Sequence, residues 1–319
     1  MLPRYASYLK NILYREPSFI LEYYLFHRNW ETDKVDYVFM ADGKMVHGGL
    51  FDRLKGAISI YALSKVHHKR FGIYFKEPFE LSKYLQPASY DWVIDDGDVI
   101  FCFPVSRPII AYSENSTPRR LLKKRFGQTH FYFGGDILGA INQEYGTQFD
   151  WGSLFHELFS PSVLVQDYVA AKQKEIASAY NAVHIRFVNM LGDQIERINY
   201  PEANAAEKEY LLGKCCRIVN VLLDESHKDG RKLLVASDSM LFLDVIKKKF
   251  PYVYIVPGTV RHIDNSNVYE EDNMKLFADL FLLAGAKNVY SIIGKGLYPS
   301  AFPKYSAKIG NRLFQRISL

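Results

Sequence analysis

At 319 residues the chain exceeds what one hydrophobic core usually serves, so two domains are the expectation. A composition of 48% hydrophobic and 24% charged residues is globular and excludes a mainly disordered tail or a fibrous repeat. The net charge of +5 permits an anionic ligand or membrane surface but does not point to nucleic acid. The 22 Phe and 23 Tyr supply buried apolar area, and the phenols suit a wet cleft. Cys102, Cys215 and Cys216 lack paired metal-type spacing and read as reduced thiols of a cytosolic protein. The longest apolar stretch, 276–286, is interrupted by Asp279 and falls short of the roughly 20 residues a spanning helix needs. Arg4, Lys10, Arg15 and Glu16 break up any secretory h-region.

In chain order, residues 5–29 carry amphipathic helical patterning split near Pro17, and 35–40 (VDYVFM) reads as a buried strand. After the turn at Gly48-Gly49, Leu50, Leu54, Ala57, Ile58 and Tyr61 form the stripe of a long helix. Strands are expected at 71–75, 99–105 and 130–133. A basic helix intervenes, with Thr117 as N-cap and Pro118 at its first position. In the second half strands at 182–188, 232–237, 252–256 and 289–293 alternate with helices at 208–225, 240–250 and 272–284. Apolar strands alternating with amphipathic helices predict parallel sheets covered on both faces. The fold class is therefore α/β, with two Rossmann-like domains (1–165 and 166–319) joined near 150–175 and facing each other across a cleft. In such sheets ligands bind at the carboxyl ends of strands, here the loops after Met40, Val188, Ser237 and Ile293.

Several groups at those ends could carry chemistry. Gly48-Gly49 opens a helix whose amides attract phosphate, with Arg53 one turn in, or else simply permits the turn. His184 and Arg186 fall on one side of a buried strand. A guanidinium there needs an anion: either a structural carboxylate such as Asp193, or a diphosphate matching its planar fork. Asp238, between Ser237 and Ser239, either caps the next helix or bonds a nucleotide base or ribose. Gly294-Lys295-Gly296 is expected to open the final helix and present amides and a charge to an anion. Asp96 and Asp98 match a D-x-D metal spacing, although Asp95-Asp96-Gly97-Asp98 is also good turn chemistry, the preferred reading. His67-His68 ends a helix and complements its dipole. The basic run Arg119, Arg120, Lys123, Lys124 and Arg125 is a solvated face, with attraction to anionic lipid as its second reading.

Gly48-Gly49-Leu50-Phe51-Asp52-Arg53-Leu54, then His184-Ile185-Arg186 with a later Gly192-Asp193, then Val235-Ala236-Ser237-Asp238 and a closing strand–loop–helix resemble the fucosyltransferase superfamily over about residues 35–310. That superfamily includes the bacterial nodulation, α-1,2-, α-1,6- and protein O-fucosyltransferases. The resemblance implies GT-B architecture and an inverting, metal-independent transfer from GDP-fucose to a glycan acceptor, with no cofactor. It implies that Arg186 holds the donor diphosphate, that His184, Ser237 and Asp238 line the nucleotide pocket, and that Gly48, Gly49 and Arg53 line the cleft from the N-terminal side and bind the donor. Phe187 stands where the family often has a second arginine, and Lys295, Gly296 and Leu297 where it prefers Ser or Thr and an aromatic. A carboxylate must take the acceptor's proton, and Asp193, Glu196 and Asp52 are the candidates. The role expected is bacterial surface-polysaccharide synthesis.

Overall fold

The computed structural model describes residues 16–25, 35–111, 127–176, 179–193, 201–260, 263 and 270–319. The expected basic helix after Thr117, most of the N-terminal helical segment and Glu196 lie outside these residues. The chain divides into two compact units, Met1–Ser160 and Pro161–Leu319.

In the first unit, in chain order, come α1 (Glu16–Tyr23), β1 (Tyr37–Ala41), α2 (Leu50–Val66), β2 (Phe71–Phe75), β3 (Leu85–Pro87), β4 (Ser106–Ala111), β5 (Gln128–Phe133), α3 (Leu138–Tyr145), α4 (Trp151–Leu158) and β6 (Phe159–Pro161). Four strands form a parallel sheet in the order β2-β1-β5-β4. Every β1 residue is buried, as a central parallel strand requires. α2 is buried almost all round and comes so close to β5 that a Cβ on Gly56 would lie 2.0 Å from the Phe133 carbonyl oxygen.

The strand expected at 99–105 does not form. Gln128 takes over the pairing there: its Oε1 accepts the Ile100 N–H at 2.8 Å and its Nε2 donates to the Asp98 carbonyl at 2.8 Å. Pro104 also has no N–H to give a ladder. The chain pairs only from Ser106, and β4 is an edge strand, where Pro108 is tolerated. Gln128 Oε1 also accepts from Nε2 of His130, whose Nδ1 faces the Tyr24 hydroxyl at 2.6 Å. The imidazole is thus satisfied as a neutral ring, and burial pushes its pKa down to about 3.

The second unit contains α5 (Val163–Ile176), β7 (Tyr180–Ile185), α6 (Ala205–Lys228), β8 (Lys232–Ser237), α7 (Met240–Lys249), α8 (Glu270–Gly285), β9 (Asn288–Ile293), α9 (Ala301–Ile309) and β10 (Leu313–Ser318). Its sheet is again parallel, in the order β10-β9-β7-β8. α6 begins where Asn204 accepts the Glu207 N–H and Glu207 reaches back to the Asn204 N–H. It buries Leu211, Cys215, Cys216, Val219, Leu222 and Leu223, one stripe at helical spacing, against Val183, Ile185 and Val235. Truncating one such leucine costs about 2–5 kcal/mol. The three cysteines are free thiols; burial raises the Cys215 pKa to about 12 and keeps it an inert core group.

The strand expected at 252–256 reduces to a single bridge between Leu234 and Tyr254, between Pro251 and Pro257. The expected joint at 150–175 is largely helical, α4 and α5, and the division between units falls at Ser160. Among the described residues no helix is long and apolar enough to cross a membrane.

Candidate functional site

In the second unit the chemistry-bearing residues collect at the carboxyl ends of β7, β8 and β9. Ile185 is the last residue of β7, so Arg186 stands one position beyond the buried strand and its side chain keeps 22% exposure. Its guanidinium lies 4.9 Å from the centre of the Tyr298 ring, and its Nε is 3.8 Å from Asp238 Oδ2. Its carbonyl accepts the Tyr298 N–H at 2.8 Å, which ties the β9 loop to the end of β7. The structural anion beside Arg186 is thus Asp238, in place of the expected Asp193.

Asp238 does not cap the helix after β8. That cap is Ser239, whose hydroxyl oxygen accepts the Phe242 N–H at 3.1 Å. Asp238 instead turns back to β7 and accepts the consecutive N–H groups of Phe187 and Val188, each at 2.8 Å. The Ser237 hydroxyl accepts the Ser239 N–H inside the same turn. Asp193 lies at the start of α7, where its Oδ2 accepts the Ser239 hydroxyl at 2.8 Å and the Leu241 N–H at 2.9 Å. His184 is buried, stacked on Phe302 at 5.5 Å, and its Nδ1 has no hydrogen-bond partner among the described residues. Burial first, then the charges of Arg186 and Lys275, push its pKa down to about 3 and keep it neutral.

Gly294-Lys295-Gly296 does not open the final helix. Leu297 N–H bonds back to the Gly294 carbonyl in a tight turn, Gly296 takes a φ of 86°, and α9 starts only at Ala301 with Ser300 as its cap. Lys295 is exposed on that turn, so its charge is offered without helix-start amides. Tyr298, four residues after Gly294, is the site neighbour that sequence reasoning missed. The signal for it was an aromatic within the 294–299 loop already placed at a strand end.

In the first unit Gly48 and Gly49 do begin α2, with Gly49 as N-cap. The Gly49 N–H goes to Asp52 Oδ2 at 3.1 Å, and Asp52 pairs with Lys55 at 2.8 Å. Arg53 turns inward: it is buried, donates to the Gly48 carbonyl and lies 5.6 Å from the Phe75 ring. It therefore fastens the glycine turn to the sheet instead of pointing at an anion held by the Gly48-Gly49 amides. Asp98 accepts the Asp95 N–H at 3.0 Å within their own turn, and Asp96 accepts the Tyr74 hydroxyl. Among the described residues no group of three His, Cys, Asp or Glu side chains comes together as a metal site. His67 caps the end of α2 between the Tyr37 and Tyr145 hydroxyls, and burial lowers its pKa.

No protein-family model and no curated relative matches the chain. Solved structures do. NodZ α-1,6-fucosyltransferase soaked with GDP-fucose superposes with a TM-score of 0.51 at 15% identity, over 86% of this chain and 93% of that one. Fucosyltransferase NodZ from Bradyrhizobium gives 0.51 at 14% identity, over 86% and 92%. A mutant of FUT1 from Arabidopsis thaliana in complex with GDP gives 0.57 at 10% identity, over 95% and 73%. The chain thus has the α/β fold of these fucosyltransferase structures, matched over 86% of its length by the NodZ structures.

Proposed function

We propose that this chain is a glycosyltransferase that moves fucose from GDP-fucose to a glycan acceptor, with inversion and without a metal ion. The observation that carries this reading is Arg186: a partly exposed guanidinium at the end of the central strand β7, on a fold whose matches were solved with GDP or GDP-fucose. Breaking the bond between the sugar's anomeric carbon and the diphosphate leaves charge on the leaving oxygens. A guanidinium fixed in place stabilises that charge more in the transition state than in the ground state. Lys295 adds a second, exposed cation beside the β9 end. The acceptor hydroxyl attacks from the opposite face and its proton passes to a carboxylate; with Asp193 engaged at the start of α7, Glu196, in the chain after β7, and Asp52 are the candidates.

In this reading the C-terminal domain holds the nucleotide sugar, with His184, Ser237 and Asp238 around it, Gly48 and Gly49 approach the donor from the N-terminal domain, and that domain serves the acceptor. The product belongs to surface-polysaccharide synthesis, made in the cytoplasm against the anionic inner face of the membrane. Calorimetry with GDP and GDP-fucose, followed by GDP release in the presence of glycan acceptors, tests the assignment. Binding of GDP and turnover that persists in excess chelator are expected. Absence of GDP binding at millimolar concentration refutes the assignment, and loss of turnover with chelator moves it to a metal-dependent transferase using Asp96 and Asp98. A second reading, a nucleotide-sugar-binding module without catalysis, is favoured by the engagement of Asp193 at the start of α7. Binding without GDP release over long incubation selects it.

A further inference from the structure

The loop after β7 and the turn after β8 are tied together twice, in opposite senses. From the β8 side, the carboxylate of Asp238 takes the Phe187 N–H on Oδ1 and the Val188 N–H on Oδ2. From the β7 side, the carboxylate of Asp193 takes the Ser239 hydroxyl and the Leu241 N–H. Each turn supplies the acceptor that satisfies donors on the other, across 46 to 51 residues of sequence.

The backbone between the two ties is held in conformations that need such support. Val188 has a φ of 56°, where a β-branched side chain is a genuine outlier and persists only if its surroundings fix it. Gly192, with a φ of 79°, turns the chain just before Asp193, and a Cβ there would meet Glu202 Oε1 at 2.4 Å. Arg186 immediately precedes the first latched amide. Its guanidinium faces the same Asp238 Oδ2 that accepts the Val188 N–H, while Tyr298 holds both its carbonyl and its guanidinium face.

We propose that Asp193 and Asp238 form a reciprocal latch that fixes where Arg186 points, and that both are positioning residues for the diphosphate-binding guanidinium. The diphosphate itself rests on the GDP-sugar reading. Both oxygens of Asp238 already carry backbone N–H bonds, and Asp193 Oδ2 carries two donors while its Oδ1 is buried. Each bond uses one of the roughly four acceptor sites of its carboxylate and sets how that carboxylate is oriented between the two turns. What the latch supplies is placement, and an error of about 1 Å at a catalytic group costs on the order of 10²-fold in rate.

Hydrogen–deuterium exchange on the ligand-free chain reads the latch directly. Asp238→Asn and Asp193→Asn should each speed exchange in both 187–193 and 239–242, because opening either tie loosens both turns. Unchanged exchange in the partner turn overturns the latch. On GDP-fucose, each variant should lower kcat about 10- to 100-fold with donor KM within about threefold, as expected for a misdirected transition-state contact. Tighter GDP binding by Asp238→Asn than by wild type also overturns it, since the carboxylate would then be occupying the phosphate's place. Adding Val188→Gly to Asp238→Asn should recover part of kcat, because glycine adopts the left-handed φ without the carboxylate. Loss of stability alone would give no such rescue. Failure of the wild type to bind GDP overturns the GDP-sugar assignment and leaves the exchange result to decide the latch.

Discussion

Replacing Arg186 by alanine separates a catalytic group from a structural one. The structural contribution is small on the geometry. The ion pair to Asp238 spans 3.8 Å between side chains 22% and 18% exposed, and such partly wet pairs are worth at most about 1 kcal/mol. The stacking on Tyr298, with the guanidinium 4.9 Å from the ring centre of an exposed tyrosine, adds about 0.5–1 kcal/mol. Arg186→Ala should therefore lower stability by about 1–2 kcal/mol, a fall in Tm of roughly 2–8 °C for a unit of this size. Removing a preorganised donor to developing charge costs about 10²–10³ in kcat, or about 3–4 kcal/mol. The assay is GDP release from GDP-fucose with acceptor, run below the melting transition and paired with a thermal melt and a GDP titration. Arg186→Lys keeps the charge without the planar fork and should recover only part of the rate. Near-normal turnover by the alanine variant would refute the reasoning, and so would a melting shift far larger than these contacts allow.

Three further outcomes follow from the same geometry. Gly56→Ala should destabilise the first unit by several kcal/mol, on the scale of overpacking or more, since the new Cβ would lie 2.0 Å from the Phe133 carbonyl oxygen; denaturant melts check it. Lys275→Met removes the cation whose Nζ bonds the Val256 carbonyl and, at 3.1 Å, the buried Asp279, so a loss of about 3–5 kcal/mol is expected. Lys275→Met with Asp279→Leu should cost less than Lys275→Met alone, because no unpaired charge then remains buried; equal losses would show that the pair is not coupled. His130 and His184 are neutral in the fold, with pKa values pushed down to about 3, while the unfolded chain takes up their protons near 6.5. Their folded pKa values are depressed, so this stability is present above pH 6.5 and is lost as the pH falls toward 3. Urea melts between pH 7 and 4 should show the slope, and His184→Asn should reduce it.

The parts of the molecule that obey a local period were legible in the sequence. Phe71–Phe75 and Lys232–Ser237 form strands at the expected residues, and α2, α6, α7 and α8 fall within a few residues of their apolar stripes. The misses have separate physical causes. Residues 99–105 are as apolar as a strand, yet their amides go elsewhere than a ladder: Ile100 to the Gln128 amide nearly thirty residues on, Cys102 to the Ser106 hydroxyl and Phe103 to the Tyr24 carbonyl. β10 was missed because an edge strand with every residue at least partly exposed shows no clean alternation.

The site divides along the same line. That Asp238 and Asp193 sit in the chain beyond strand ends was readable from the apolar β runs before them, whereas Arg186, expected inside a strand at 182–188, stands one residue past the strand's end at Ile185. Which carboxylate serves which donor was not readable, since Ser237, Asp238 and Ser239 are all competent N-caps at one turn and propensity cannot rank them. The tertiary structure resolves the competition: Ser239 takes the helix amide, which frees Asp238 to reach back to Phe187 and Val188, and Asp193 then completes the cap from the opposite loop. A pattern of caps shared between two strand-end turns ties both turns together beside Arg186, where the proposed transfer needs a charged side chain held in place.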